Sequence, residues 1–413
     1  MARSAYREAV GYFEQGLSAL AHLPETRDTI EQAIDLRLAL RTALRPIGDY
    51  GRILAALREA ESLAAALDDH HRMGRVSVSL IVDFNSRGAH DQAIAAGQRA
   101  LALATASGDV VLHALVHLRL GQVYYAQCDY RQAIDYLGQA VAFFDGARRH
   151  ERFSLPNLPA VLSRAFLALC YAELGMFAEG RALGEEGLRI AEAVDHPGSL
   201  MLASWGIGLL SFRQGNLRRA LPLLERAVGI CQDTDLPVYF PRMAAALGAA
   251  YALGERVADA VPLLTQAMEQ TIATAMVGVQ ALCSLSLGEA QVLAGHLEEA
   301  HALAERALAL AREHQERGHQ AYALHLLGDI AARRDPPAVE QAEVYYRQAL
   351  ALADELGMRP LLAHCYRGLG TLDVTLGRGD TARPVLAAAI ALYRTMDMTF
   401  WLPQAEAALA QVT

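Results

Sequence analysis

Apolar and small residues recur at helical spacing along much of the chain, and residues 114–140 show the pattern clearly. The first half of this stretch carries Gly121 and Tyr124, and the second half carries Ala133, Leu137 and Ala140. A polar turn over 127–129 separates the two halves. Because residues three or four positions apart share one face of an α-helix, the stretch predicts two antiparallel helices joined by a short turn.

The same layout recurs along the chain, marked by one position in the middle of each first helix. Successive marker residues are separated by 40, 40, 47, 40, 40, 40, 40 and 42 positions. The marker residues are Arg41, Ile81, Gly121, Ala168, Gly208, Gly248, Gly288, Gly328 and Gly370. A helical pattern with a period in this range predicts a solenoid, in which each unit packs on its neighbours.

Most of the marker residues are small, and close helix packing explains why. A glycine or alanine in the first helix lets the second helix cross it without a Cβ clash, and a larger residue in the second helix fills the space beside it. Glycine also commonly ends the first helix, where a positive φ costs least. The glycines at these ends are Gly88, Gly175, Gly215, Gly295 and Gly377.

The pattern G-x-x-Y followed by A-x-x-x-[LAF]-x-x-A resembles the tetratricopeptide repeat over nearly the whole chain. The resemblance implies an all-α fold, a tetratricopeptide-like α-solenoid of antiparallel helix pairs. About nine units of ~40 residues would form a right-handed superhelix. The usual unit has about 34 residues, so we expect longer helices or longer turns between units.

Both ends of the chain differ from the regular repeat. Residues 1–30 have the spacing of a second helix without its first helix, so we expect a truncated repeat with more chain upstream. Repeats 1–9 would then occupy 31–398. Residues 399–413 predict one further helix, and Phe400 and Trp401 would cover the last repeat as a C-terminal cap.

A loop insertion at 146–159 accounts for the single step of 47 residues, and its two prolines interrupt any continuous helix. Its basic and aromatic residues could contact a neighbouring domain. These candidate contacts are Arg148, Arg149, Arg152 and Phe153. The alternative is a solvated connection in which Phe153 and Leu155 fold onto the repeats.

Composition excludes several function classes. The net charge is −9, and the arginines alternate with acidic residues, so the sequence gives no support for nucleic-acid binding. All 37 basic residues are arginines, which excludes a Walker A lysine, a Schiff-base lysine and a lysine general base. The five cysteines are odd in number and lack a C-x-x-C pair, as expected in a reducing compartment. Without an apolar leader or a membrane-length apolar run, we expect a cytoplasmic protein and no membrane partner.

Motifs for chemistry are absent from the sequence. His314 and His319 are separated by four residues and do not form the H-E-x-x-H zinc motif. The sequence contains no G-x-S-x-G motif, and the acidic residues lie mostly on polar helix faces. We therefore expect no catalytic residues, no metal site and no cofactor in this chain.

The concave face of the predicted superhelix is the candidate binding surface, because the first helices line it. An apolar middle with aromatic residues and a more polar C-terminal end would suit a helix or an extended peptide. Alternatively, these side chains pack on neighbouring first helices and form core. Projection from the marker residues gives Leu118, Gln122, Tyr125, Trp205, Leu209, Phe212, Glu289, Tyr322, His325, Asp329, His364 and Arg367.

Several stretches are similar to one bacterial family, which joins a class III adenylate/guanylate cyclase domain, a predicted signal-transduction ATPase domain and a tetratricopeptide C-terminal region. The stretches are AREHQERGHQ at 311–320, IAARRDPPAVEQA at 330–342, ELGMRPLLAHC at 355–365 and MDMTFWLP at 396–403. The resemblance implies that the enzymatic domains lie upstream. This chain would then be a non-catalytic sensor or docking arm that binds a protein or peptide and contacts the upstream domains. The alternative is a free-standing peptide-binding adaptor, similar to a pheromone receptor; the oligomeric state stays open.

Overall fold

The fold is a row of paired helices. In the computed structural model, which describes residues 2–153, 155–234 and 236–412, every regular element is helical, with single α-helices at either end of nine pairs. The single helices are α1 (Ala2–Leu20) and α20 (Leu402–Ala410). The pairs are α2 (Arg27–Leu44) with α3 (Tyr50–Ala66), α4 (His70–Ser86) with α5 (His90–Ser107), α6 (Val110–Gln127) with α7 (Tyr130–Phe143), α8 (Pro159–Glu173) with α9 (Phe177–Val194), α10 (Pro197–Gln214) with α11 (Leu217–Asp233), α12 (Phe240–Leu253) with α13 (Val257–Ala273), α14 (Gln280–Leu293) with α15 (Leu297–Glu313), α16 (Arg317–Arg333) with α17 (Val339–Leu356), and α18 (Arg359–Thr375) with α19 (Gly379–Thr395).

Short 3₁₀ helices over Arg45–Ile47, Gly146–His150 and Val277–Val279 complete the regular structure of these residues. The predicted all-α solenoid of helix pairs is confirmed. The division into 1–30, 31–398 and 399–413 stays a prediction, and Met1, Ser154 and Thr413, which belong to predicted segments, lie outside the described residues.

First and second helices of a pair differ in how they are buried. In the first helix α10, every residue from Gly198 to Phe212 is buried, because neighbouring helices cover it on several sides. A helix that is apolar all round is expected in such a position. The second helix α11 buries a single stripe, which consists of Ala220, Leu224, Ala227, Val228 and Cys231. The second helices therefore form the outer, solvated layer of the solenoid.

The marker glycines lie where the paired helices approach each other closely. A Cβ atom at Gly248 would overlap the side chain of Leu264, and one at Gly370 would overlap Leu386. Gly121 and Leu137 make the same contact in the third pair. The predicted packing of a small residue against a larger one is confirmed. The five glycines predicted to end first helices all have φ between 70° and 85°.

Distant repeats are in contact because the superhelix completes a turn. The Nδ1 atom of His314 lies 3.3 Å from the carbonyl oxygen of Gly88, and Nε2 of Gln214 donates to the carbonyl of Met396 at 3.3 Å. His90 and Glu316, both buried, lie 3.5 Å apart between Nε2 and Oε1. The concave face is therefore enclosed by successive turns.

Residues that follow the last pair cover its exposed end. The ring of Trp401, just before α20, lies 4.6 Å from the ring of His364 and 6.4 Å from that of Tyr393. Phe400 and Trp401 also lie against Gly215 on the preceding turn. The C-terminal segment thus fills the space beside α18 and α19 and joins two turns of the superhelix.

Candidate functional site

A cavity of about 900 Å³ lies inside the superhelix, and we call it the central chamber. First helices α2, α4, α6, α8, α10 and α12 supply most of its wall, and residues near the start of α14 and α16 complete it. Phe153, Leu155 and Pro156 of the loop insertion also line it. This volume is in the range of small-molecule and short-peptide sites.

One position of the repeat lines the central chamber in eight successive units. This minus-six position lies six residues, or nearly two helical turns, before each marker residue. Its occupants on the chamber wall are Asp35, Arg75, Leu115, Leu162, Leu202, Arg242, Leu282 and Tyr322. Arg242 is therefore the one charged residue within a run of leucines from the third to the seventh unit.

Aromatic rings form the middle of the chamber wall. The rings of Phe166 and Trp205 pack edge to face with their centroids 5.4 Å apart, and Tyr125 packs on Phe166 at 5.3 Å. Trp205 is only 1% exposed, and its indole Nε1 has no hydrogen-bond acceptor among the described residues. The rings present rigid apolar surface, which loses little conformational entropy when a ligand binds.

Most arginines of the central chamber have a carboxylate partner. Asp83, which is fully buried, accepts from Nε of Arg41 at 2.5 Å and lies 3.2 Å from Nε of Arg45. Arg75 lies 2.7 Å from the carboxylate of Asp35. Paired charges of this kind hold the first helices of neighbouring repeats together.

Glu173 is the centre of a further satisfied cluster, at the boundary between two turns. Its carboxylate accepts from Arg213 Nε at 2.8 Å and from the Tyr322 hydroxyl at 2.7 Å. The Arg213 guanidinium also lies 4.5 Å from the centroid of the Tyr322 ring. Because α8 and α16 belong to different turns, this cluster closes one side of the chamber.

Arg119 and Arg242 differ from the other chamber arginines because neither forms an ion pair within the described ranges. Arg119 donates to Oε1 of Gln122 at 2.9 Å, and its Nε has no partner there. Burial, together with the nearby Arg41 and Arg45, lowers the pKa of Arg119 to about 10. Burial also lowers the pKa of Arg242, whose guanidinium lies about 6 Å from the Phe166 and Trp205 rings. Both side chains remain cationic at neutral pH.

The predicted concave residues of the middle repeats are divided between the chamber wall and the core. Gln122, Tyr125, Trp205, Leu209 and Tyr322 line the central chamber. Leu118, by contrast, is fully buried between helices and does not line the chamber. The structure therefore places some of these residues at a cavity and others in the packed core, and their role as a binding surface stays a prediction.

Phe212 and Glu289 line a separate small cavity of about 30 Å³, which also touches Leu209 and Tyr322. Burial raises the pKa of Glu289 to about 7, although Arg213 partly opposes this effect and Asp329 adds to it. Glu289 forms no hydrogen bond or ion pair with any residue the structure describes. Its carboxyl group is thus close to half protonated at neutral pH.

Three of the four predicted concave residues at the C-terminal end are hydrogen-bonded to other side chains, whereas Nε2 of His325 has no hydrogen-bond partner among the described residues. Asp329 accepts from the Tyr346 hydroxyl at 2.6 Å and lies 3.9 Å from Nε2 of His325. The Nδ1 atom of His364 lies 2.8 Å from the Tyr393 hydroxyl. Arg367 donates to Gln404 at 2.6 Å. Burial lowers the pKa of His364 well below its ordinary value, so its ring is neutral at physiological pH.

The loop insertion folds back on the repeats. The Phe153 ring lies 5.4 Å from Phe144 and 6.4 Å from Phe143, while the Arg148 guanidinium stacks 4.4 Å from the Phe143 centroid. Arg149 pairs with Asp145 at 3.1 Å, and Arg152 lies 3.5 Å from Nε2 of His196. Arg148 and Arg152 nevertheless stay exposed. The apolar part of the loop thus forms chamber wall, and its basic part faces outwards.

Sequence reasoning missed Arg119, Phe166 and Arg242 as chamber residues. Arg242 could have been found, because it shares the minus-six position with Tyr322, which was predicted. Arg119 and Phe166 lie two residues before their marker residues, beside the stripe used for the projection. Their inward orientation depends on helix rotation, which the repeat period does not specify.

The described residues give little support for chemistry at the chamber wall. They contain no group of three or more His, Cys, Asp or Glu side chains placed to hold a metal ion. Cys128 lines the chamber, but burial raises the pKa of its thiol to about 12, so it stays protonated. Within the same ranges, every helix is too short or too polar to cross a bilayer.

Comparisons with known proteins agree with this architecture. A family model described as Tetratricopeptide repeat matches residues 72–145, and no curated protein matches the sequence. A solved Rap protein complexed with Competence and Sporulation Factor is similar at a TM-score of 0.61 and 14% identity, over 86% of this chain and 97% of that chain. The structure is thus a tetratricopeptide-like solenoid.

Two further solved structures are similar at lower scores. One is a Signal Transduction ATPase with Numerous Domains from Pyrococcus horikoshii that has a tetratricopeptide repeat sensor; its TM-score is 0.45 at 15% identity, over 95% of this chain and 55% of that chain. The other is NprR in complex with its cognate peptide NprX, with a TM-score of 0.49 at 14% identity, over 71% and 87% of the two chains. This chain therefore spans about half the length of the ATPase.

Proposed function

We propose that this chain is a non-catalytic receptor module that binds a peptide, or a short segment of a protein, inside the central chamber. The observation that carries the proposal is the cavity of about 900 Å³, walled by first helices and lined by aromatic rings and arginines. Sites of this kind combine apolar surface with a few polar groups that orient the ligand. The similar Rap protein was solved with Competence and Sporulation Factor bound, which supports a ligand-binding role for this fold.

Binding would be coupled to the shape of the superhelix. Polar contacts between turns, such as His314 with Gly88 and Gln214 with Met396, enclose the chamber, and each is a single hydrogen bond at 3.3 Å. A ligand that prefers one spacing of the turns shifts the population towards that spacing. The chain could then report occupancy of the chamber to another domain.

As the finer part of the proposal, the chain is the sensor or docking arm of a larger cyclase–ATPase signalling protein. The resemblance at 311–320, 330–342 and 396–403 supports this arrangement. The five described cysteines, all buried and unbridged, are consistent with a reducing compartment such as the cytoplasm. Cyclase and ATPase motifs in the reading frame upstream of Met1 would support this role, whereas an upstream DNA-binding domain would favour the free-standing adaptor.

Obstruction of the central chamber tests the receptor role. The chain is incubated with a pool of random hexapeptides, and the retained peptides are identified by affinity selection and mass spectrometry. We expect Gln122→Trp to abolish retention, because Gln122 lines the chamber and is only partly buried. Gln127→Trp is the matched control, since Gln127 lies on the same helix but does not line the chamber. Equal retention by both variants, or no retention by the unmodified chain, would contradict the proposal.

A further inference from the structure

The charge of the central chamber is opposite in sign to that of the protein. The chain has a net charge of −9, yet six arginines and only three carboxylates line the chamber. The arginines are Arg41, Arg45, Arg75, Arg119, Arg213 and Arg242, and the carboxylates are Asp35, Asp109 and Glu173. A positive wall inside an acidic protein favours an anionic ligand in the chamber.

The excess positive charge lies mainly on two side chains, with a smaller share on Arg41 and Arg45, which have one carboxylate between them. Arg41 and Arg45 share Asp83, Arg75 pairs with Asp35, and Arg213 pairs with Glu173. Arg119 and Arg242 have no carboxylate partner in the described part of the chain. Glu316 influences Arg242 from a longer distance, but its carboxylate is already bonded to His319 at 2.7 Å. A half-buried cation without a carboxylate partner loses part of its hydration without compensation, so an unpaired arginine at a cavity is a candidate functional group.

The repeat itself singles out Arg242. At the minus-six position, the neighbouring units carry Leu115, Leu162, Leu202 and Leu282, and all four side chains line the chamber. A leucine would fit the same position in the repeat without the desolvation cost. Packing alone therefore does not explain an arginine in this unit.

Arg119 and Arg242 share one neighbourhood within the chamber. Tyr239, which also lines the chamber, lies near enough to both guanidinium groups to affect their pKa values, and Nδ2 of Asn157 donates to its hydroxyl at 2.9 Å. Gln122 positions Arg119 from the same helix. The Phe166 and Trp205 rings lie beside Arg242, so an apolar surface adjoins the unpaired charges.

We propose that Arg119 and Arg242 form an anion subsite of the central chamber that binds one carboxylate of the peptide ligand, while Phe166 and Trp205 contact the adjacent apolar side chain. This inference rests on the proposed receptor function and specifies the chemistry of its ligand. The carboxylate belongs either to the C-terminus of the peptide or to an Asp or Glu side chain. Guanidinium groups suit both, because they donate two parallel hydrogen bonds to a carboxylate.

Three hexapeptide pools distinguish these sources, with Asp and Glu excluded from all random positions. In the first pool, the C-terminus is amidated and one position is fixed as Glu. In the second pool, the C-terminus is amidated and the same position is fixed as Gln. In the third pool, the C-terminal carboxylate is free. We expect the chain to enrich the first or the third pool over the second by roughly tenfold or more. Hydrogen bonds to charged groups contribute enough binding free energy for a difference of this size. The preferred pool identifies the source of the carboxylate.

Substitutions then assign the preference to the two arginines. We expect Arg119→Gln and Arg242→Leu each to remove the enrichment while uncharged peptides are still retained. Arg75→Gln is the matched control, because Arg75 also occupies a minus-six position but is paired with Asp35. In the Trp401→Phe background, the fluorescence of Trp205 alone reports occupancy of the chamber, since the chain has two tryptophans. A titration with the most enriched peptide gives its affinity for each variant.

The double variant tests whether the arginines bind the same carboxylate. If they do, Arg119→Gln combined with Arg242→Leu weakens binding by much less than the product of the single effects. Additive losses would overturn the shared subsite. Equal retention of all three pools would overturn the anion subsite and leave the receptor function standing. Retention of no pool would overturn the receptor function itself.

Discussion

The concave face has two regions with different physical character, although both are built from the same repeat. In the middle repeats, Arg119, Arg242 and Trp205 face the central chamber with hydrogen-bonding capacity that the described residues leave unused. In the C-terminal repeats, His364 and Arg367 are bonded to Tyr393 and Gln404. The difference shows that one repeat position can face a cavity in one unit and pack against other side chains in another.

The space beside the last repeat explains the difference. The C-terminal segment with Trp401 and α20 covers α18 and α19, so polar side chains there find partners within the protein. In the central chamber, the apolar part of the loop insertion lies on the wall, and the described residues leave a cavity that the turns enclose. We therefore expect substitutions at the C-terminal end to change stability, and substitutions in the chamber to change ligand binding.

The largest effect is expected for Trp401→Ala. The substitution removes the ring that packs on His364, Tyr393 and the preceding turn at Gly215, so the free energy of unfolding should fall by about 3–5 kcal/mol. Urea unfolding gives the magnitude, and hydrogen exchange should locate the loosening in α18–α20. Tyr12→Ala is the control, because Tyr12 is 72% exposed. Equal midpoints for the two variants would contradict the role of Trp401 in packing.

The next effect concerns Glu289, which lies between the two regions. Because the pKa of Glu289 is raised in the folded protein, its carboxyl group ionises at a lower pH in the unfolded chain. The free energy of unfolding should therefore fall as pH rises from 4.5 to about 7 and then level off. We expect Glu289→Gln to remove this decline, which corresponds to roughly 3 kcal/mol. Urea unfolding at pH 4.5, 6 and 8 measures the effect. Exposed Glu298 gives the control variant Glu298→Gln, and identical pH profiles for both variants would contradict the buried environment of Glu289.

Substitutions at the close contacts between paired helices should change stability by similar amounts in both regions. Gly248→Ala and Gly370→Ala each place a Cβ against a leucine of the second helix, so each should lower the free energy of unfolding by about 1–3 kcal/mol. Gly229→Ala meets no atom within 4 Å and should be neutral or stabilising by up to about 1 kcal/mol. Chemical denaturation compares the three variants. An unchanged free energy of unfolding in only one of Gly248→Ala and Gly370→Ala would show that the repeats differ in helix packing as well as on the concave face.

The smallest effect is a gain in stability of the free protein. Arg242→Leu removes a half-buried charge that has no carboxylate partner among the described residues, and it restores the leucine of neighbouring units. We therefore expect a gain of about 1 kcal/mol. Arg367→Leu at the C-terminal end removes the hydrogen bond to Gln404 and should not stabilise the protein. Thermal unfolding of both variants without ligand tests the contrast. A loss of stability in Arg242→Leu would indicate a structural role for this arginine.

The sequence predicted the features that depend on local spacing. Residues close together in the chain determine the repeat period and the helix pairs. They also determine the close contact of the Gly248–Leu264 type and the glycines that end first helices. The predicted concave residues also include five that line the central chamber, and their role in binding stays a prediction. These are Gln122, Tyr125, Trp205, Leu209 and Tyr322.

Features that depend on the closure of the superhelix could not be predicted. Small rotations between successive repeats add up over a turn, and their sum brings Glu173 to Tyr322 and His314 to Gly88. Which charged side chains meet across turns depends on the same accumulated rotation. The sequence therefore does not show that Arg119 and Arg242 lack a carboxylate partner among the described residues. The hydrogen bonds of Asp329 and His364 likewise depend on Tyr346 and Tyr393, which lie on other helices.

The most direct test of the central claim is a hydrogen-exchange map of the full chain with and without the most enriched hexapeptide. We predict slower exchange in four of the first helices that line the central chamber, α6, α8, α10 and α12, and no change in the C-terminal helices α18–α20. Protection confined to α18–α20, or to the outer second helices, would contradict the central claim.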